Sequence, residues 1–505
     1  MREKLKIKIV LAICIFMLLP TKIFATNFET EKINDYTKWL KNYQDGYRIQ
    51  VPADSKVEMK RNLLSTEMDF FDVNLKIYVE DLNKDFNYQT YEYYSLRGIR
   101  TNPEHKISFD GKVNTKIGSM HKIKFSRQKL SAVENDKPNY MILFKNLGDR
   151  ALTVMVKSSS PINEKMIMPM VESIKFDIAK KPIAPEKVQS SMQNENFDRM
   201  LDKKTFELYK QDFATEHPTI WGLYSVDFWR FPDTSIVESE IGHKFKYALV
   251  YHDFSFPNSQ VKDALDVAMI QEKTVELTFQ SQIVNGENQT YDVLDGKYEN
   301  YFRELARMVK VKKLPILFRI GNEMNGDWCA YSAYNTGLDA DIYREFYNYI
   351  YKIFEEEGAN PYVLYVFNPN GRNFPNFKYN DGSEYRPNTD KYDIVGMTLY
   401  NTGNYYSFEK WETFEQLYAP LYKKMVQSYE KPLMITEFSS STVGGDKVKW
   451  TRDMFEALKK FDKIKVAIWF SGTDLDENKN PARTYKIDEP RDVLKVFKDN
   501  LPKNR

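Results

Sequence analysis

Pro315-Ile-Leu-Phe-Arg-Ile320 is a short, mostly apolar run, and Gly321-Asn-Glu-Met-Asn-Gly-Asp-Trp328 follows it at once. An apolar run this short, without polar alternation, reads as a strand buried on both faces, the habit of parallel sheets. Seven similar runs flank it: Trp221–Val226, Tyr247–Tyr251, Val275–Phe279, Tyr362–Phe367, Asp393–Tyr400, Leu433–Glu437 and Val466–Phe470. Amphipathic stretches such as Tyr298–Val311, Asp341–Glu357 and Lys447–Lys460 lie between most of them. Eight strand–helix units in about 300 residues are the arithmetic of a (β/α)8 TIM barrel, an α/β fold, here over residues 205–505. A doubly wound open sheet is the alternative.

Upstream the pattern changes. Residues 27–178 read as a small α+β domain, with strand-like alternation at Tyr47–Pro52, Asp72–Val79 and Ala151–Lys157. Ile162, Met166, Ile167, Met170, Val171 and Ile174 recur at helical spacing, although Pro169 strains such a helix. Residues 179–204, polar and with two prolines, read as a linker. Residues 1–25 read as a cleaved export signal: Arg2, Lys4, Lys6 and Lys8, then an apolar run from Ile9 to Leu19, then Pro20 and a small residue at Ala25. Its removal takes the formal net charge from +2 to −2. Neither value suggests nucleic-acid binding. Only Cys329 remains after cleavage, so no intramolecular disulfide is available and stability rests on the core. No other segment is long and apolar enough to span a membrane.

In a barrel of this kind, chemistry sits at the carboxyl ends of the strands. Glu323 follows the fourth run and Glu437 ends the seventh, across the mouth from one another. Two facing carboxyls are what glycosidic bond cleavage requires: one protonates the leaving oxygen, the other attacks the anomeric carbon or activates water. Repulsion from an ionised partner keeps a proton on the acid near neutral pH. Aromatics make up 15% of the chain, and six of the seven Trp lie in the barrel half, as a sugar-stacking groove would need. Trp328, Tyr331 and Tyr334 follow Glu323 directly and are expected to stack on pyranose faces. The five His are not paired at metal-ligand spacing, so neither a metal nor a cofactor is expected. His252, after the second run, reads equally as a substrate-binding residue at the mouth and as a loop hydrogen-bonder.

These strings resemble a clan A glycoside hydrolase, most closely family 26, the β-mannanase type. Arg319, Glu323, Met324, Asn325, Gly326 and Trp328 match its strand-four motif. Asn368-Pro369-Asn370, then Tyr385, Pro387, Asp393, Val395, Gly396, Tyr400 and Asn401, match strands five and six. Lys431, Pro432, Met434, Ile435 and Glu437 match strand seven. The resemblance implies Glu323 as acid/base and Glu437 as nucleophile. It also implies substrate-binding roles for Arg319, Asn322 beside the sugar 2-hydroxyl, Tyr400 hydrogen-bonded to the nucleophile, and Trp469 as an aromatic floor. The chain departs from the family at Asn322, where His is usual and Asn is the pattern of the wider clan, and at Phe367 and Thr398. The N-terminal domain resembles PsbP-like folds, which implies no activity.

The expectation is an exported, retaining endo-β-1,4-glycanase acting on a β-mannan-type polysaccharide. The alternatives are a cellulase-like endo-β-glucanase acting on the cell's own exopolysaccharide, and a non-catalytic surface polysaccharide-binding protein. The polysaccharide is the one partner expected, and the sequence leaves the oligomeric state open.

Overall fold

The computed structural model describes residues 28–58, 64–82, 86–181, 199–226, 228, 233–388 and 391–503. Residues 1–25, read above as an export signal, lie outside them, as do most of residues 179–204, read as a linker. The first sheet is a meander of β1 (Phe28–Lys32), β2 (Thr37–Asn42) and β3 (Tyr47–Pro52). The second joins β4 (Lys56–Glu58), β5 (Thr66–Phe70), β6 (Val73–Asp81), β7 (Lys106–Thr115), β8 (Gly118–Ser126), β9 (Asn139–Asn146) and β10 (Arg150–Ser158) in the order β4-β5-β6-β10-β9-β8-β7.

One face of this sheet carries its own core. Leu75, Ile77, Leu143, Leu152 and Val154 pack there on Leu40, Tyr47 and the helix Glu164–Glu172. Pro169 sits inside that helix, where its missing N–H deprives only the exposed Lys165 of an intrahelical partner. The other face does not stop at a domain boundary. Tyr78, Phe125 and Tyr140, with Tyr91 and Leu96 from the helix Tyr88–Thr101, join one continuous apolar cluster with Tyr331, Phe346 and the rest of the barrel's outer layer.

The barrel closes as β11 (Ile220–Ser225), β12 (Tyr247–His252), β13 (Thr274–Phe279), β16 (Ile316–Ile320), β17 (Val363–Phe367), β18 (Ile394–Thr398), β19 (Leu433–Phe438) and β20 (Ile464–Ser471), all parallel, with β20 pairing back to β11. The small hairpins β14 (Ile283–Val284) with β15 (Glu287–Asn288), and β21 (Thr473–Leu475) with β22 (Pro481–Thr484), decorate its carboxyl end. The expected runs and the observed strands agree to within about two residues, so the (β/α)8 reading holds and the open sheet does not.

Strand alternation sorts the barrel into two layers. Leu249, Leu317, Leu364, Ile394, Met434, Val466 and Ile468 fill the interior. Their neighbours Val250, Phe318, Val363, Val395, Ile435 and Ala467 face outward, against the helices. The helix Asp341–Glu356 shows why the second layer forms: Ile342, Phe346, Ile350 and Ile353 recur at three- and four-residue steps and are buried together.

Candidate active site

Arg319 is the inward residue nearest the carboxyl end of β16 and is fully buried. Its guanidinium donates from Nε to Thr278 Oγ1 at 2.7 Å and from Nη1 to Asn368 Oδ1 at 2.7 Å. Nη2 donates to Glu437 Oε2 at 3.3 Å. A second carboxylate, Glu276 on β13, has Oε1 3.1 Å from Arg319 Nε, yet neither of its oxygens accepts a well-formed hydrogen bond. Burial pushes Glu276 up to about 7, against the pull of Arg319.

Glu323 reaches the mouth through a tight turn. Gly321 (φ 62°) and Glu323 (φ 51°) both take left-handed backbone. A β-carbon at Gly321 would fall 2.9 Å from the Tyr343 ring. Such a φ at a non-glycine residue costs on the order of 1 kcal/mol. Here the Glu323 N–H is anchored on Asn368 O at 2.8 Å. The carboxyl accepts from Asn370 Nδ2 at 2.5 Å, and from Asn322 Nδ2 at 3.5 Å. Burial raises its pKa, opposed by Asn370, by the charge of Arg319 and by hydrogen bonding from Trp328.

Glu437 depends on an irregularity. The β18–β19 register runs Met397↔Ile435, then Thr398↔Glu437, so Thr436 is the extra residue of a bulge. Strict alternation from inward-facing Met434 would turn Glu437 outward. With the bulge, Glu437 turns in to Arg319, and Phe438 turns out to Trp450 and Trp469. Glu437 is 1% exposed, and burial, with the Asp474 carboxylate, pushes it up to about 8. Asp474 acts on Glu323 in the same sense. Both carboxyls therefore share two neighbours, the cation Arg319 and the anion Asp474. At Glu437 the 3.3 Å contact with the Arg319 guanidinium works against this rise, as a neighbouring cation does for any carboxyl.

Four expectations need correction. Trp469 is fully buried on the outer side of β20, donating from Nε1 to Tyr485 O at 3.1 Å and packing on Trp450 and Phe497. The inward neighbour Phe470 holds the place expected of it, stacked 4.5 Å from Tyr224 and edge-on to Tyr400. His252 is outward for the same reason of parity; it is 2% exposed, and the Tyr301 hydroxyl lies 2.6 Å from its Nε2, while Tyr251 faces Arg319. Tyr400 stands at the mouth against Phe470 and Tyr485 but is not hydrogen-bonded to Glu437. Tyr331 lies wholly beneath the loop, donating to Asn322 O at 2.7 Å, and Tyr334 packs against Tyr94; neither offers a face for stacking.

Asn322 is buried beside Glu323, with Oδ1 accepting from Gln280 at 2.7 Å. Trp328 is 52% exposed; its indole lies over Gly326, with the Phe374 ring 5.3 Å away. Sequence reasoning missed Phe470, Tyr224, Glu276 and Asp474. Strand alternation could have found the first three. Asp474, on a hairpin beyond the last strand, carried no signal. Among the described residues, no group of three or more His, Cys, Asp or Glu is placed to hold a metal.

Residues 212–463 match the family model described as Glycosyl hydrolase family 26. Over 222 residues, 43% of this chain, the sequence is 27% identical to endoglucanase H of Acetivibrio thermocellus. The match spans 23% of that longer protein. Among solved structures, the catalytic domain of a Bacillus sp. JAMB-750 endo-β-1,4-mannanase is 16% identical with a TM-score of 0.45, covering 62% of this chain and 94% of its own. A modular endo-β-1,4-mannanase of Cellulomonas fimi is 15% identical with a TM-score of 0.46, covering 60% and 75% respectively.

Proposed function

The chain belongs to glycoside hydrolase family 26 through its barrel, and from that premise we propose that it is a retaining endo-β-1,4-glycanase working by double displacement between Glu323 and Glu437. One arrangement supports the reading above all: Arg319 pairs with Glu437 while its charge also reaches Glu323, at the carboxyl ends of β19 and β16. In the first step the Glu437 carboxylate attacks the anomeric carbon as Glu323 gives its proton to the departing glycosidic oxygen. In the second, Glu323, now ionised, takes a proton from water, and that water releases the sugar from Glu437. Asn370 and Trp328 steady Glu323 in its ionised form between the steps.

The substrate we infer is a β-mannan-type polysaccharide. A β-glucan is the second reading, favoured by Asn322 at the position where the family usually has His, and by the endoglucanase name of the Acetivibrio relative. The deciding experiment is product analysis on galactomannan, glucomannan, carboxymethylcellulose and mixed-linkage glucan. Reducing ends from the mannans alone support the first reading, and from the glucans alone the second. Binding without turnover across the panel sinks both and leaves a polysaccharide-binding protein. Export rests on residues 1–25 and is tested by N-terminal sequencing of protein recovered from the medium. Among the described residues no helix is long and apolar enough to cross a membrane.

A further inference from the structure

We propose that the N-terminal domain is a working part of the catalytic wall: through Tyr94 it fixes Asp327 and Trp328, and so governs how the chain holds the sugar units on the leaving-group side of the scissile bond. The inference rests on the reading of Glu323 as acid/base.

The helix Tyr88–Thr101 lies directly on the loop that follows β16. At Gly98 the approach is so close that a β-carbon would fall 2.1 Å from Tyr334 O, so the helix touches the loop through bare backbone. The Tyr94 ring stands 5.2 Å from the Tyr334 ring, and its hydroxyl donates to the Asp327 carboxylate. A second tie runs through Asn102, whose Nδ2 donates to Asn335 O at 3.1 Å. Asn335 in turn donates to Asp327 O at 2.8 Å. The next residue is Trp328, whose indole lies over Gly326 and counters the rise in the pKa of the Glu323 carboxyl.

The loop after β17, which carries Asn370 and Phe374, is tied to the same domain. Its Lys378 N–H donates to Glu80 Oε2 at 2.6 Å. It is stitched to the first loop where Phe374 N donates to Asn325 O at 2.8 Å. Both loops that flank Glu323 are thus clamped by the N-terminal domain. A module tethered only by a linker would leave them free.

The test uses the full chain with Tyr94→Phe, which keeps the ring and removes only the hydroxyl, and Asp327→Asn. Two substrates are compared: 2,4-dinitrophenyl β-mannobioside or β-cellobioside, whose leaving group needs neither a proton nor sugar contacts, and the matching soluble polysaccharide. Each variant is expected to lose about 5- to 20-fold in kcat/KM on the polysaccharide, mostly through KM, while the aryl glycoside changes by less than about twofold. The double variant should be no worse than either single one. Equal losses on both substrates mark Tyr94 as merely structural and overturn the proposal, as does no loss on either. A wild-type protein inert on both substrates fails at the earlier step, the glycosidase reading, and takes this proposal with it.

Discussion

Arg319 and Glu437 meet inside the barrel at 3.3 Å, both buried, with Glu276 Oε1 3.1 Å from Nε of the same guanidinium. One cation serves two carboxylates that are almost wholly buried. The charge state of Glu437 therefore depends on how Arg319 is held, and Arg319 is held by Thr278 and Asn368.

Arg319→Lys keeps the charge but loses the fork that spans these partners. Glu437, already pushed up to about 8, then loses part of the interaction that favours its anion. Since attack needs the carboxylate, the acidic limb of the kcat/KM–pH profile should move to higher pH by about one unit. The rate near neutrality should fall roughly 10- to 100-fold. A limb that stays in place would exclude Arg319 from control of the nucleophile.

Replacing Glu437 or Glu323 by Gln changes little in volume and removes one reacting group each. Hydrolysis of polysaccharide should fall by about a thousandfold or more in both variants, with unchanged circular dichroism. Glu323→Gln should still release dinitrophenol in a burst, because that leaving group needs no proton. Azide should rescue Glu437→Ala with inverted anomeric configuration. Near wild-type turnover in either Gln variant would end the assignment.

Phe470 and Trp469 are neighbours with opposite duties. Phe470→Ala opens the mouth beside Tyr224 and should raise KM by about tenfold with little change in melting temperature. Trp469→Ala hollows the layer between β20 and the helices, and should cost about 3–5 kcal/mol of stability. Urea unfolding and Michaelis kinetics on both variants check this; the opposite pattern would return Trp469 to the groove.

Stability itself should fall as pH rises from about 5 to about 7. Burial holds Glu80 and Glu276 up to about 7 and Glu437 up to about 8, so the folded protein keeps protons there that the unfolded chain has released. The folded state binds the excess, so each such carboxyl removes up to ~1.4 kcal/mol per pH unit as pH climbs. His105, pushed down to about 4, and His252, lowered by burial, work the other way below the ordinary histidine value, but they are two groups against three. Lys447, lowered to about 7, opposes the trend only above this window. Thermal melts in matched ionic strength give the sign directly.

The barrel was legible because each of its strands is buried on both sides, so Pro315–Ile320 and its seven counterparts are apolar whatever their neighbours do. Strand ends carry the chemistry, and Glu323 and Glu437 could be picked out by position alone. Direction was less legible. Trp469 was assigned to the mouth by its place in the chain, and so was His252 in one of its two readings; each lies one residue from the side chain that faces the mouth, Phe470 and Tyr251.

Local sequence thus determined the elements and their order, since burial on two faces or one leaves a periodicity in the chain itself. Only the tertiary structure decided which way the ends of the strands point. The bulge at Thr436 that turns Glu437 inward, the left-handed turn that presents Glu323, and the seating of the helix Tyr88–Thr101 on the wall beside it each arise from contacts between segments far apart in the chain. Hydrophobic periodicity repeats with the backbone, whereas a one-residue shift of register inverts every side chain beyond it, and the partners that set that register are remote in sequence.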